Sequence, residues 1–214
     1  MKLAVLGANG RTGRQLVRVA LTSGHEVRGG ARRSRPALQS AKLDFISCDA
    51  TSVDDVRRLI SGCDAVISVI GHVRGSAANM QTNAMIAITT AMQLEKISRI
   101  ISLTGTGVRF PGDHHNVIDD ILNKTITIID PKRVRDGQQH VEVLMNSRLD
   151  WSVLRVSKLT PGGISKFQLT ASGPTKPFVS RATVALALLQ IVERHSFSQA
   201  APMISSSAAR AFSN

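Results

Sequence analysis

The sequence predicts an α/β protein organised around a doubly wound parallel sheet. Two observations carry that reading. The first half of the chain alternates short β-branched or apolar runs with helix-spaced apolar patterns, the mark of successive βαβ units. A glycine-rich turn stands between the first such run and the first helical pattern, at the carboxyl end of a strand. A length of 214 residues suits one well-cored domain, and 43% hydrophobic with 20% charged residues is ordinary globular usage.

Lys2–Leu6 is the first apolar run, and Gly13, Leu16, Val17, Ala20 and Leu21 then recur at helical spacing. Strands follow at Glu26–Ala31 and Leu43–Ser47. Val53, Val56, Leu59 and Ile60 place a second helix, whose first turn holds Asp54 and Asp55, where carboxylates suit the positive end of the helix dipole. Ala65–Ile70 and Arg99–Thr104 are the fourth and fifth strands, joined by a longer crossover helix over Gly75–Glu95. The second half is less regular. Helical patterns cover Asp113–Lys124 and Arg133–Ser147, Trp151–Val156 is a strong strand with Trp151 in the core, and Lys166–Thr170 is a short one. A loop rich in Ser, Gly and Pro at Ala171–Pro177 leads into a helix over Arg181–Arg194 that buries Val184, Leu188, Ile191 and Val192. Ser205–Asn214 reads as a partly ordered terminus, and the chain shows neither an internal repeat nor an interdomain linker.

Composition excludes some chemistry. Six Phe, one Trp and no Tyr remove every mechanism that needs a phenol as acid, base or nucleophile. Lys and Arg total 27 against 15 Asp and Glu, a formal charge of +12 that attracts phosphate-bearing ligands. Arg11, Arg14 and Arg18 lie along one helix face, and Arg28, Arg32, Arg33 and Arg35 crowd one short segment. With no basic tail and no interleaved aromatics for bases to stack on, the charge points to a small phosphate ligand rather than nucleic acid. Cys48 and Cys63 have no partner at disulfide-framework or zinc spacing, so no metal is expected and two free thiols fit a reducing compartment. The start of the sequence lacks a signal-peptide pattern, and the uncharged stretch Gly75–Leu94 carries too many polar side chains to span a membrane. A cytoplasmic protein without a membrane partner is the expectation.

The turn Gly7-Ala8-Asn9-Gly10-Arg11-Thr12-Gly13 places its residues as a dinucleotide pyrophosphate requires. Gly7 permits the tight turn, Gly10 lets the backbone approach the anion, and Gly13 lets the helix lie close on the sheet, while helix N–H groups face the phosphate. An NAD site places Asp or Glu at the end of the second strand for the ribose 2′-OH. Here that segment, Val27 to Arg35, has no acid and offers Arg32 and Arg33 instead, groups that match a 2′-phosphate. Arg11 is placed to close on the same phosphate. NADP(H), preferred over NAD(H), is the expected cofactor.

With these residues the chain resembles the NmrA-like branch of the atypical short-chain dehydrogenases, including the flavin/biliverdin reductase B group. The resemblance rests on GANGRTG (Gly7–Gly13), Cys48-Asp49-Ala50, DAVISVIG (Asp64–Gly71), RIISLTG (Arg99–Gly105), LDWSVLRV (Leu149–Val156) and FVSRATVA (Phe178–Ala185). It implies a Rossmann-type doubly wound parallel sheet with a small C-terminal substrate lobe: one domain over 1–214, with a cofactor-binding core over about 1–157 and about 158–204 contributing the lobe. It further implies that Asp49 and Ala50 border the adenine, that Ile70 and Gly71 border the adenine-side ribose, and that Thr104, Val156 and Ser157 lie near the nicotinamide.

The Tyr-x-x-x-Lys pair of typical short-chain dehydrogenases, counted back from Glu142, would fall at Val134 and Gln138. Neither residue can do that work. Flavin-type reductases resemble this chain in lacking the pair, since hydride transfer to an isoalloxazine needs stacking and position more than a protein acid. Where that group often has Ser after the fifth strand, this chain has Gly105 between Thr104 and Thr106. Thr104 and His72 are the candidate catalytic residues, His72 because it follows the fourth strand; His114, His115 and His140 are the remaining histidines considered. The expected activity is NADPH-dependent reduction of a planar acceptor such as a flavin or quinone. The other function class is a non-catalytic NADP(H)-binding sensor of NmrA type.

Overall fold

The computed structural model describes residues 1–32, 40–72, 75–114, 121 and 130–206. Arg33, Arg35, His115, most of the expected Asp113–Lys124 helix and the chain beyond Ser206 lie outside the described residues.

Strands whose side chains are apolar on both faces must be covered on both faces, which forces helices onto each side of a sheet. The strands are β1 (Lys2–Leu6), β2 (Glu26–Ala31), β3 (Leu43–Ser47), β4 (Ala65–Ser68), β5 (Arg99–Gly105), β6 (Asp150–Val156), β7 (Lys158–Thr160), β8 (Phe167–Thr170), β9 (Phe178–Ser180) and β10 (Met203–Ser206). The helices are α1 (Arg11–Thr22), α2 (Val53–Ile60), α3 (Met80–Leu94), α4 (Pro131–Met145) and α5 (Arg181–Glu193). Eight strands form one sheet in the order β3-β2-β1-β4-β5-β6-β10-β8, parallel except where β8 pairs with β10. The chain moves outward from β1 to β3, then returns to lay β4 on the other flank of β1. That reversal opens a crevice at the carboxyl ends of β1 and β4, where ligands of such sheets bind.

Alternation along β1 shows how the two faces are filled. Leu3 and Val5 join Leu16, Val17 and Leu188 of α1 and α5 on one side, and Ala4 and Leu6 join Leu59, Ile88, Met92 and Leu144 of α2, α3 and α4 on the other. Trp151 lies in the second core, as expected.

Several elements differ from the sequence reading. β4 ends at Ser68 rather than Ile70, and α3 begins at Met80 rather than Gly75. Strand β10, which the sequence reading lacks, is paired to β6 and β8, and its last two residues belong to the Ser205–Asn214 segment read as a partly ordered terminus. Residues 158–204 contribute to the main sheet, to its cover and to a second, smaller sheet. β8 and β10 lengthen the main sheet, α5 packs in the core against α1, and β7 with β9 form a separate two-stranded parallel sheet.

Arg155 secures this C-terminal side. Its side chain on β6 is fully buried and ion-pairs with Asp113 through both terminal nitrogens. It also donates to the carbonyls of Ala201 (2.7 Å), Val108 (3.2 Å) and Ala171 (3.1 Å). A buried guanidinium is tolerated only when its donors are met, and here one side chain meets them from three separate segments.

Candidate functional site

At the carboxyl end of β1 the chain turns through Gly7, whose φ of 80° lies in the left-handed region. The turn is pinned to β2: the Gly7 and Ala8 N–H groups donate to the Gly30 carbonyl at 3.0 and 3.1 Å, and Gly10 N–H donates to Gly7 O at 2.9 Å. Two neighbouring glycines make this approach possible. A Cβ on Gly29 would lie 3.1 Å from the Ala8 side chain and 2.8 Å from Phe45, and one on Gly30 would lie 2.4 Å from Leu59. A Cβ on Gly13 would lie 2.1 Å from Gly7 O, so the helix start seats directly on the turn. A Cβ on Gly10 would meet only that same carbonyl, at 3.0 Å. Asn9 sits half-buried in the turn and Thr12 is buried in the first helical turn.

The start of α1 differs from the other described helix starts. Ser52, Asp130 and Ser180 cap α2, α4 and α5 with their own side chains, and Asp136 takes the Gln81 and Thr82 N–H groups of α3. At α1 the N-cap is Gly10, which supplies no side-chain bond, and the first intrahelical bond begins only with Arg14 N–H to Gly10 O. The N–H groups of Arg11, Thr12 and Gly13 have no acceptor within the helix, and they follow the carboxyl end of β1, where an anion site would form. Two cations stand there: Arg11 is exposed, and burial together with the nearby Arg11 charge pushes Arg181, the first residue of α5, below the ordinary range of an arginine.

Around this turn the expected contacts fall in place unevenly. Arg32 is exposed at the end of β2, whereas Arg33 lies outside the described residues. Arg28 is engaged elsewhere, donating to Ser61 O at 2.7 Å and pairing with Asp44 at 3.3 Å, so the basic segment is split between structure and site. Asp49 accepts the Thr51 N–H (3.0 Å) and hydroxyl (2.8 Å), which hold its carboxyl below the usual range, with Arg32 adding a smaller effect. Ala50 is half-buried beside it. Ile70 follows β4 next to Gly7: a Cβ on Gly7 would lie 3.4 Å from Ile70 N, and the Ile70 carbonyl accepts Gln81 Nε2 at 3.0 Å. Gly71 is exposed and would carry a Cβ into open space. At the ends of β5 and β6, Thr104 and Val156 are buried, and Ser157 Oγ is buried without a hydrogen-bond partner among the described residues. An open helix start, a cradle at Gly10 that a side chain would fill, and this orphan hydroxyl fit a dinucleotide laid across the crevice.

The inner face of α4 is where sequence reasoning saw least. Val134 is half-buried and Gln138 exposed, while Asp136, Gly137 and His140 point inward. Gly137 abuts Thr104, whose Oγ1 would lie 3.0 Å from a Cβ there. Asp136 accepts from Gln81 N (2.8 Å), Thr82 N (2.9 Å) and Thr82 Oγ1 (2.5 Å) and meets His72 Nε2 at 2.7 Å. His140 shares a 2.7 Å hydrogen bond with Ser102, and burial pushes its imidazole down to about 4. His114 is exposed, its N–H donating to Ser172 O at 2.7 Å. The signal that could have found Asp136 and His140 is an i, i+4 polar pair on the same helical stripe as Val141 and Leu144.

The model of the NAD(P)H-binding family matches residues 7–195. The chain belongs to that family. Its fold is shared by solved proteins that include a short-chain dehydrogenase/reductase. A short-chain dehydrogenase/reductase of Veillonella parvula solved in complex with NADP superimposes with a TM-score of 0.81 at 19% identity, covering 97% of this chain and 95% of that one. ChuY, an anaerobillin reductase of Escherichia coli O157:H7, gives 0.81 at 20% identity, covering 98% and 99%. An uncharacterized protein of Mycobacterium tuberculosis is 34% identical over 101 residues, which is 47% of this chain and 12% of that relative. Among the described residues no helix is long and apolar enough to cross a membrane, and no cluster of His, Cys, Asp and Glu could hold a metal ion.

A dinucleotide held at the glycine turn would let two glycine substitutions separate binding from folding. Gly10→Val should leave a folded protein that has lost NADPH affinity by at least about 1.4 kcal/mol, a tenfold effect, in calorimetry. Gly13→Ala, with its Cβ 2.1 Å from Gly7 O, should lower the melting temperature as well. Wild-type affinity in folded Gly10→Val would contradict the placement.

His140 gives a pH signature. An unfolded imidazole binds a proton below about 6.5, whereas the buried one stays neutral down to about 4. The unfolded state therefore holds more protons in that window, and stability falls as pH drops from about 6.5 to 4, by roughly 3 kcal/mol at most. Urea unfolding should show that slope in the wild type and a shallower one in His140→Gln; equal slopes would contradict the assignment.

Proposed function

We propose that the chain is an NADPH-dependent oxidoreductase of the flavin-reductase kind, reducing a flavin, a quinone or a similar conjugated planar acceptor. The observation that carries this is the start of α1, which no side chain caps, together with a β2 end that offers Arg32 and no acid. In this reading the N–H groups of the Gly7–Gly13 turn hold the pyrophosphate and Arg32 with Arg33 reads the 2′-phosphate. Asp49 and Ala50 border the adenine, Ile70 and Gly71 its ribose, and Thr104, Val156 and Ser157 the nicotinamide. The bound cofactor supplies a hydride. The protein holds the acceptor in place, excludes water and provides the proton, for which His72 is the residue at the correct strand end.

Two features support a conjugated acceptor over a simple ketone. The chain has no Tyr, and Val134 and Gln138 stand where the Tyr-x-x-x-Lys pair of typical short-chain dehydrogenases would fall. ChuY, of the same fold, is an anaerobillin reductase, which fits reduction of a conjugated acceptor. The same lack of a phenol favours, as a second reading, an NADP(H) sensor without turnover. A cytoplasmic location suits either.

Arg32→Ala should weaken NADPH more than NADH, by about 1.5–3 kcal/mol for a charge-assisted contact, with Arg33→Ala added if the single change is small. A double variant that still prefers NADPH would place the phosphate elsewhere.

Steady-state rates on a panel of acceptors test the activity. Since general acid catalysis contributes about 10²–10⁴-fold, ketones should turn over very slowly while FMN, FAD or a quinone is reduced. Efficient ketone reduction would overturn the mechanism, and tight NADPH binding without turnover of any acceptor would favour the sensor.

A further inference from the structure

We infer that Asp136 is the positioning residue for His72, fixing which imidazole nitrogen carries the proton and tying that ring to the start of α3. The inference rests on the reading of His72 as the proton source.

Asp136 lies on α4 but serves two other segments. Its side chain is 1% exposed, and its oxygens are fully used. Oδ1 accepts the Thr82 N–H and hydroxyl at 2.9 and 2.5 Å. Oδ2 accepts the Gln81 N–H at 2.8 Å and lies 2.7 Å from His72 Nε2. A buried carboxyl group without partners would be costly, and four close groups offset that cost. Three of the four are donors, which is how a carboxylate is surrounded rather than a carboxylic acid. A carboxylate has no proton to give, so Nε2 of His72 must carry one. The neutral ring is thereby held as the Nε2–H tautomer, and Nδ1 is the nitrogen left to take and release a proton.

Capping of α3 does not by itself account for this arrangement. Asn79, at the N-cap of α3, makes no capping bond and donates instead to Asn83 at 3.4 Å. The acceptor comes from 55 residues along the chain, on a helix whose next residue, Gly137, abuts Thr104. One carboxylate thus sits between the carboxyl ends of β4 and β5. Gln81 completes the clamp, its N–H on Asp136 and its Nε2 on the Ile70 carbonyl just ahead of His72. Gly71, between Ile70 and His72, faces open space, so Asp136 and Gln81 are what hold this segment among the described residues.

In turnover the protonated ring gives its Nδ1 proton to the acceptor that has received the hydride, keeps its Nε2 proton on Asp136, and regains a proton at Nδ1 from water, which its 14% exposure admits. Charge balances: the acceptor gains one hydride and one proton.

The test uses the whole chain labelled with ¹⁵N-histidine, with the His72 signals assigned by their loss in His72→Gln. Nitrogen shifts should report the Nε2–H tautomer for neutral His72. In Asp136→Asn one carboxylate oxygen becomes an NH2 group; with the amide oxygen kept by the Thr82 N–H and hydroxyl, that NH2 group faces His72 Nε2, so the proton should move to Nδ1. Acceptor turnover at saturating NADPH should fall on the order of tenfold or more. His72→Gln should lose turnover comparably, and the double variant should lose little beyond that. A wild-type Nδ1–H tautomer would overturn the inference without any variant, which matters if Asp136→Asn does not fold. So would an unchanged tautomer in folded Asp136→Asn. Full turnover in His72→Gln would instead remove the proton-source reading, and the tautomer result would still decide what Asp136 does.

Discussion

Backbone N–H groups that begin a helix must find acceptors, and in this chain the start of α1 is built so that the protein provides none from its cap. Gly10 has no side chain to give, Gly13 lets the helix seat on the turn, and the Gly30 carbonyl ties Gly7 and Ala8 to β2. With Gly10 N–H bonded to Gly7 O, the N–H groups of Arg11, Thr12 and Gly13 are left without an acceptor from the helix, at the reversal point of the sheet, a setting that suits an anion.

The second half of the site solves the opposite problem. Where α1 is left open, α3 is closed from a distance by Asp136, and the same carboxylate reaches His72. Arg155 does comparable work on the outer side, joining the segment after β5 to β6 and to the approach to β10. Both are charged groups buried among apolar neighbours, and both connect strand ends to elements that arrive late in the chain.

This division explains what the sequence could convey. The β1–α1–β2 unit was legible because its determinants are local: glycine spacing, a helical apolar stripe and the absence of an acid after β2 all lie within 35 residues. α2 was legible for the same reason, with Ser52 capping it and Asp54 and Asp55 in its first turn. The start of α3 was read five residues early because its acceptor is Asp136, which no local pattern around Gly75 reveals. β10 was missed because four residues become a strand only when β6 and β8 flank them. Arg28 looked like part of a phosphate cluster until its bonds to Ser61 and Asp44 were visible.

The central claim is that the open first turn of α1 receives the dinucleotide's pyrophosphate. A crystal structure of the protein with NADP⁺ bound tests it most directly. The account predicts pyrophosphate oxygens within hydrogen-bond distance of the Arg11 and Thr12 N–H groups, and the 2′-phosphate against Arg32. A dinucleotide bound with its pyrophosphate away from that turn would contradict it.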